Sequence, residues 1–85
     1  KVVPKADIRL RSKQGYDIIS GFFKSRENAI READRFRRRG ADAYIVAKGN
    51  MYYVSLGSAP SMTAAEALLR QLKTWNKENM VIKKW

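Results

Sequence analysis

The chain repeats itself. Tyr16 recurs as Tyr52, Gly21 as Gly57, Ser25 as Ser61, Ala29 as Ala65 and Lys48 as Lys84, each at an offset of 36 residues, and Ile45-Val46 aligns with Val81-Ile82 at the same offset. A repeat of that length is one supersecondary unit, too small to bury its own apolar face. Two copies in 85 residues leave room for a single domain, so the fold of one half must be completed by the other.

Each half reads strand, helix, strand. "YDIISGFF", residues 16–23, is β-branched and aromatic, as strands are. Ser25 can cap the helix that follows, Glu27 lies in its first turn, and Ala29, Ile30, Ala33 and Phe36 form one stripe. Gly40 stops that helix, with Arg37, Arg38 and Arg39 in the last turn where cations are favoured. "ADAYIVAK" and "MYYVSLGS" are strands joined through the tight turn "KGN". In the second helix Thr63 and Glu66 have the spacing of a capping box, and Ala65, Leu68, Leu69, Leu72 and Trp75 share a face. "NMVIKKW" is the closing strand. The order β-α-β-β-α-β predicts an α+β, ferredoxin-like domain over residues 15–85, a four-stranded antiparallel sheet with both helices packed on one face. Residues 1–14 form a basic N-terminal arm or linker, in which "DIRLR" alternates like a short extra strand.

Side chains alternate across a strand, so the adjacent Tyr52 and Tyr53 point to opposite faces. Tyr52 shares parity with Val54 and Leu56 and is assigned to the helix side, as are Tyr16, Ile18 and Ser20 in the first repeat. Asp17, Ile19 and Gly21 then face the open side with Met51, Tyr53 and Ser55. On the hairpin's other strand Tyr44, Val46 and Lys48 point out, and the repeat sends Met80 and Ile82 with them. The resulting patch of Ile19, Tyr44, Val46, Met51, Tyr53, Met80 and Ile82 is large for a free surface. It marks an interaction site unless residues 1–14 fold across it.

The chemistry available to that face is restricted. There is no histidine and no cysteine, so the usual general base near neutral pH, the commonest metal ligand and thiolate chemistry are all missing. The serines have no base to activate them, no phosphate-cradling glycine loop occurs, and Glu27 with Arg31 or Glu66 with Arg70 are ordinary helical ion-pair spacings. These features point to a binding module with no enzymatic activity, cofactor or metal. No apolar run approaches the ~20 residues of a membrane span, and a chain that begins at Lys1 is expected to be a piece of a longer protein. A formal charge of +10 favours anionic partners. The arginines of "READRFRRR" fall on the solvent side of a helix, away from the open face, which argues against a specific nucleic-acid site.

The run from Ile18 to Ala29, "IISGFFKSRENA", resembles the opening of a SPOR (sporulation-related repeat) domain, and "GADAYIVAKGNMYYVSLGS" is similar to that family's central hairpin. The resemblance extends from Tyr16 to Trp85. It implies the same fold and a cell-envelope module of bacteria, periplasmic, often C-terminal in secreted or membrane-anchored proteins of the cell wall or division site. It further implies binding of peptidoglycan glycan strands denuded of their stem peptides, on the open sheet face. Carried onto this chain, the expected glycan-binding residues are Ile19, Phe22, Tyr44, Met51, Tyr53 and Ser55.

The face departs from the family pattern. Ile19 stands where a glutamine is favoured and Phe22 where a small residue is; Met51 and Tyr53 stand where an aromatic and a basic residue are common. So apolar a surface also suits a protein partner in an envelope complex. An RRM-like RNA binder shares the element order, but it offers stacking aromatics on both central strands, and here the first presents Ile19.

Overall fold

Two serines start the two helices. The computed structural model describes residues 7–85. Ser25 Oγ accepts from the Asn28 amide at the start of α1 (Arg26–Arg38), and Ser61 Oγ accepts from the Ala64 amide at the start of α2 (Met62–Lys73). The capping box expected at Thr63 and Glu66 is not used. Ser61 follows Pro60 in extended backbone and caps a helix that begins at Met62, so Thr63 already lies inside the first turn. Ala29, Ala33 and Phe36 of α1 and Ala65 and Leu72 of α2 are buried against the sheet.

The strands are β1 (Ile8–Arg9), β2 (Tyr16–Phe23), β3 (Tyr44–Lys48), β4 (Met51–Ala59) and β5 (Val81–Lys84), in the spatial order β1-β3-β4-β2-β5. The four long strands form the expected antiparallel ferredoxin-like sheet with the helices on one face. The fifth strand is an addition: β1 pairs parallel to β3, and the Ile45 amide donates to the Asp7 carbonyl at 2.8 Å. It covers an edge of β3 that would otherwise present unpaired backbone groups. Residues 1–6 of the expected arm lie outside the described residues.

Tyr52 packs with Ile18, Ile45, Val54 and Leu56 on the helix side, as alternation requires. Met80 and Ile82 do so too, which corrects their assignment to the open face. Ile82 pairs with Ile18 in the core, so Val81, opposite Ile19, takes the open side with Lys83. The cause is one extra residue in the second half, since the cap-to-core distance is 20 positions from Ser25 to Ile45 and 21 from Ser61 to Ile82. The 36-residue repeat therefore slips by one before the last strand, and a slip of one inverts every side chain.

A second inversion falls within β2. Ile19 pairs with Ser55 and Gly21 with Val54, so β2 advances two residues while β4 advances one, a β-bulge. Gly21, expected on the open face, lies in register with a core residue instead. Beyond the bulge Phe23 turns inward opposite Tyr52 and Phe22 outward opposite Tyr53. The other repeated glycine lets α2 pack closely on β4: a Cβ on Gly57 would stand 2.7 Å from Leu68 Cδ2, and that methyl would have to shift.

The arginines at the end of α1 and at its C-cap brace the helix layer. Arg35 forms ion pairs with Glu32 at 3.0 Å and Glu78 at 2.9 Å, Arg37 donates to the Ala43 carbonyl, and Arg39 donates to the Trp75 carbonyl with its guanidinium 4.6 Å above that ring. Arg31 bonds Asn28 instead of Glu27. The hydrogen bond from Arg35 holds the Glu78 carboxyl below its usual range.

Candidate functional site

The sheet face away from the helices is divided in two. At its centre Ile19, Tyr44, Val46 and Ser55 are buried, together with Asp17, the one acid in the five strands. Asp17 is only 1% exposed and is surrounded by donors. Tyr44 Oη donates to its Oδ1 at 2.5 Å, Ser55 Oγ to the same oxygen at 2.7 Å, and Trp85 Nε1 to Oδ2 at 2.6 Å. Three charge-assisted hydrogen bonds replace water around the carboxylate, which is how a buried acid is accommodated without a cation against it.

Cover comes from the arm on one side and Trp85 on the other. The Lys13 amide donates to Tyr44 Oη at 3.0 Å while its ammonium lies 4.7 Å from the centre of the Tyr44 ring. The Gln14 amide and side chain bind Ser58, and Ser12 Oγ accepts from the Gly15 amide at 2.9 Å. The Trp85 amide donates to the Gly15 carbonyl at 3.0 Å, fixing the residue after β5 beside the entry to β2. Its indole reaches across the sheet, edge-on to Tyr53 with ring centroids 5.2 Å apart and with Lys48 Nζ 5.6 Å away.

Tyr44 illustrates the effect of this cover. Burial and the bond to Asp17 raise its phenol above the ordinary tyrosine range. The folded state then holds the proton more tightly than the unfolded chain. The corresponding stability is complete below the unfolded value of about 10 and is lost as pH rises through the folded one. Tyr44→Phe should cost about 1–2 kcal/mol at neutral pH by orphaning the Lys13 amide and one carboxylate interaction. It should also flatten the fall of stability at alkaline pH, as urea unfolding of both proteins across that range would measure.

The exposed half of the face is aromatic and cationic. Phe22 is 61% exposed, and its ring lies 5.7 Å from Tyr53 at an interplanar angle of 33°. Tyr53 and Trp85 are half-buried, so Phe22, Tyr53 and Trp85 form one continuous ledge. Lys83 Nζ sits 5.4 Å from the Tyr53 centroid and 4.9 Å from that of Trp85. Met51, paired with Lys48, closes one end of β4, and Val81, 60% exposed, lies on β5. Beyond Trp85 a groove of about 350 Å³ opens between the indole, Lys48 and the arm residues Leu10, Arg11, Ser12 and Gly15.

The six residues expected from the sequence thus separate. Phe22, Met51 and Tyr53 have accessible surface, whereas Ile19, Tyr44 and Ser55 are buried, Tyr44 under Lys13 of the arm. Trp85, Lys83 and Lys48 were not among the six. Alternation along "MVIKKW" would have supplied Lys83 and Trp85 had the register of that strand been set from Met80 inward. No group of three or more metal-ligating acidic, histidine or cysteine side chains occurs among the described residues, and none of their helices is long and apolar enough to cross a membrane.

A two-fold repeated βαββαβ sheet with an aromatic face opposite its helices defines a small α+β domain. The chain belongs to the SPOR domain family, whose pattern it matches over residues 12–83. Among solved structures it is similar to the peptidoglycan binding domain of the B. subtilis cell wall lytic enzyme CwlC. The two share 25% identity with a TM-score of 0.63, over 80% of this chain and 85% of that one. No curated protein sequence matches it.

Proposed function

We propose that this domain is a non-catalytic module that binds the glycan strands of peptidoglycan in the bacterial cell envelope, on the periplasmic side of the membrane. The observation that carries this reading is the ledge of Phe22, Tyr53 and Trp85 with Lys83 over Tyr53 and Trp85 and Lys48 over Trp85. Sugar rings present C–H faces that pack on aromatic rings, and their hydroxyls remain free for polar neighbours and backbone groups at the rim. Of the expected residues, Phe22, Tyr53 and Met51 contact the glycan in this account. Tyr44 and Ser55 act from beneath, holding Trp85 of the ledge in place through Asp17, and Ile19 is buried beside them.

Removal of the stem peptides frees the lactyl carboxylates of muramic acid, and a +10 domain is drawn to them. Co-sedimentation with sacculi before and after amidase treatment tests the reading: retention should rise after peptide removal. No retention on either preparation would contradict it. An aromatic pair flanked by lysines is also suited to stacking on nucleobases, so RNA belongs in the same assay as a competitor. Displacement from sacculi by RNA at equal mass would favour the nucleic-acid reading, and stoichiometric capture of an envelope protein without glycan retention would favour a protein partner.

A further inference from the structure

We infer that the groove between the arm and Trp85 is a separate subsite that takes a carboxylate borne on a sugar ring, and that the arm is therefore part of the binding site. The inference rests on the glycan-binding reading and extends it to residues outside the family pattern. That pattern covers residues 12–83, whereas Leu10, Arg11 and Trp85 lie beyond it and supply half of the groove's lining.

The groove has the composition such a ligand needs. One wall is the Trp85 indole, held by its bond to Asp17 and by the amide bond to Gly15, so a ring packing there meets a fixed surface. The opposite wall is the arm, whose position is set by β1 on β3 and by the bonds of Ser12, Lys13 and Gln14 to Ser58 and Tyr44. Arg11 and Lys48 bring two positive charges to the rim, and Lys48 directs its ammonium at the indole. Asp17, the acid beneath, is turned inward and satisfied by three donors. At about 350 Å³ the groove is at the lower end of small-ligand sites, ~300–1,000 Å³, sized for a ring and its substituent and not for a macromolecule. A guanidinium and an ammonium beside an aromatic wall match a carboxylate attached to a sugar better than they match a neutral sugar.

Three preparations of sacculi separate the outcomes: intact, in which peptides block the lactyl groups; amidase-stripped, which exposes lactyl carboxylates; and stripped, then capped as neutral amides with carbodiimide and methylamine. The wild-type domain should bind the stripped form about tenfold more tightly than the capped form, as expected for a charge-assisted contact. Arg11→Ala with Lys48→Ala should bind stripped and capped forms alike, at the level of wild type on capped glycan. Both residues are exposed, so the variant should keep wild-type thermal stability. Lys73→Ala with Lys77→Ala removes the same charge from the end of α2 and the loop that follows it, and should keep the full preference. The inference is overturned if wild type binds stripped and capped glycan equally, if the Arg11/Lys48 variant retains the preference, or if Lys73/Lys77 loses it to the same degree. It is also overturned if intact sacculi bind as well as stripped ones, which would assign the charge to peptide carboxylates. Equal retention on all preparations leaves the glycan-binding reading standing, whereas no retention on any removes both.

Discussion

Asp17→Ala should lower the stability of the folded domain by about 3–5 kcal/mol, a large part of the ~5–15 kcal/mol that holds a small domain together. The substitution is small and apolar, and the site is buried, so loss of solvation is not the issue. The cost arises from the Tyr44 and Ser55 hydroxyls and the Trp85 indole N–H, which lose a charged acceptor where water has little access. Asp17→Asn should cost less, because a carboxamide oxygen still accepts, while its NH₂ opposes one of the donors. Urea unfolding of the three proteins would rank them wild type, Asn, Ala. Equal midpoints would show that the donors find other partners and that the carboxylate does not organise the face.

Phe22→Ala combined with Tyr53→Ala should weaken binding to stripped glycan at least ~30-fold, the loss of one strong aromatic hot spot or more. Stability should change far less than for Asp17→Ala. Phe22 is mostly in solvent, and Tyr53 gives up its contacts with Phe22 and Trp85 but no hydrogen bond of the core network. Quantitative co-sedimentation with matched thermal melts would separate lost binding from lost folding. Undiminished retention by the folded double variant would remove the ledge from the account.

The topology was legible because the repeat, the caps and the hydrophobic stripes agree with one another. Tyr52 and Tyr53 could be given their faces from alternation alone, and the structure places them so. Three local events hid the remainder. One additional residue between Ser61 and β5 inverted Met80 and Ile82, and with them concealed Lys83 and Trp85. A bulge between Ile19 and Gly21 set Gly21 in register with a core residue, and it turns outward Phe22, which the family resemblance places on the open face but an uninterrupted alternation assigns to the core. Asp17 is on the expected face but under cover. Its partners Tyr44, Ser55 and Trp85 are 27, 38 and 68 positions away, a juxtaposition that no local pattern announces. The six residues read from the sequence therefore divide into accessible ones, Phe22, Met51 and Tyr53, and buried ones, Ile19, Tyr44 and Ser55.

The two tryptophans offer the most direct test of where the ligand sits. Trp85 belongs to the proposed ledge, whereas Trp75 follows α2 and packs against Phe36 and Arg39 in the helix layer. Each indole N–H gives its own signal in a proton–nitrogen correlation spectrum. Titration with soluble, peptide-free glycan should move the Trp85 indole signal together with the backbone signals of Phe22, Tyr53 and Lys83, and leave Trp75 in place. Movement of Trp75 and the α1 arginines with Trp85 unchanged at saturation would contradict glycan binding on the sheet face.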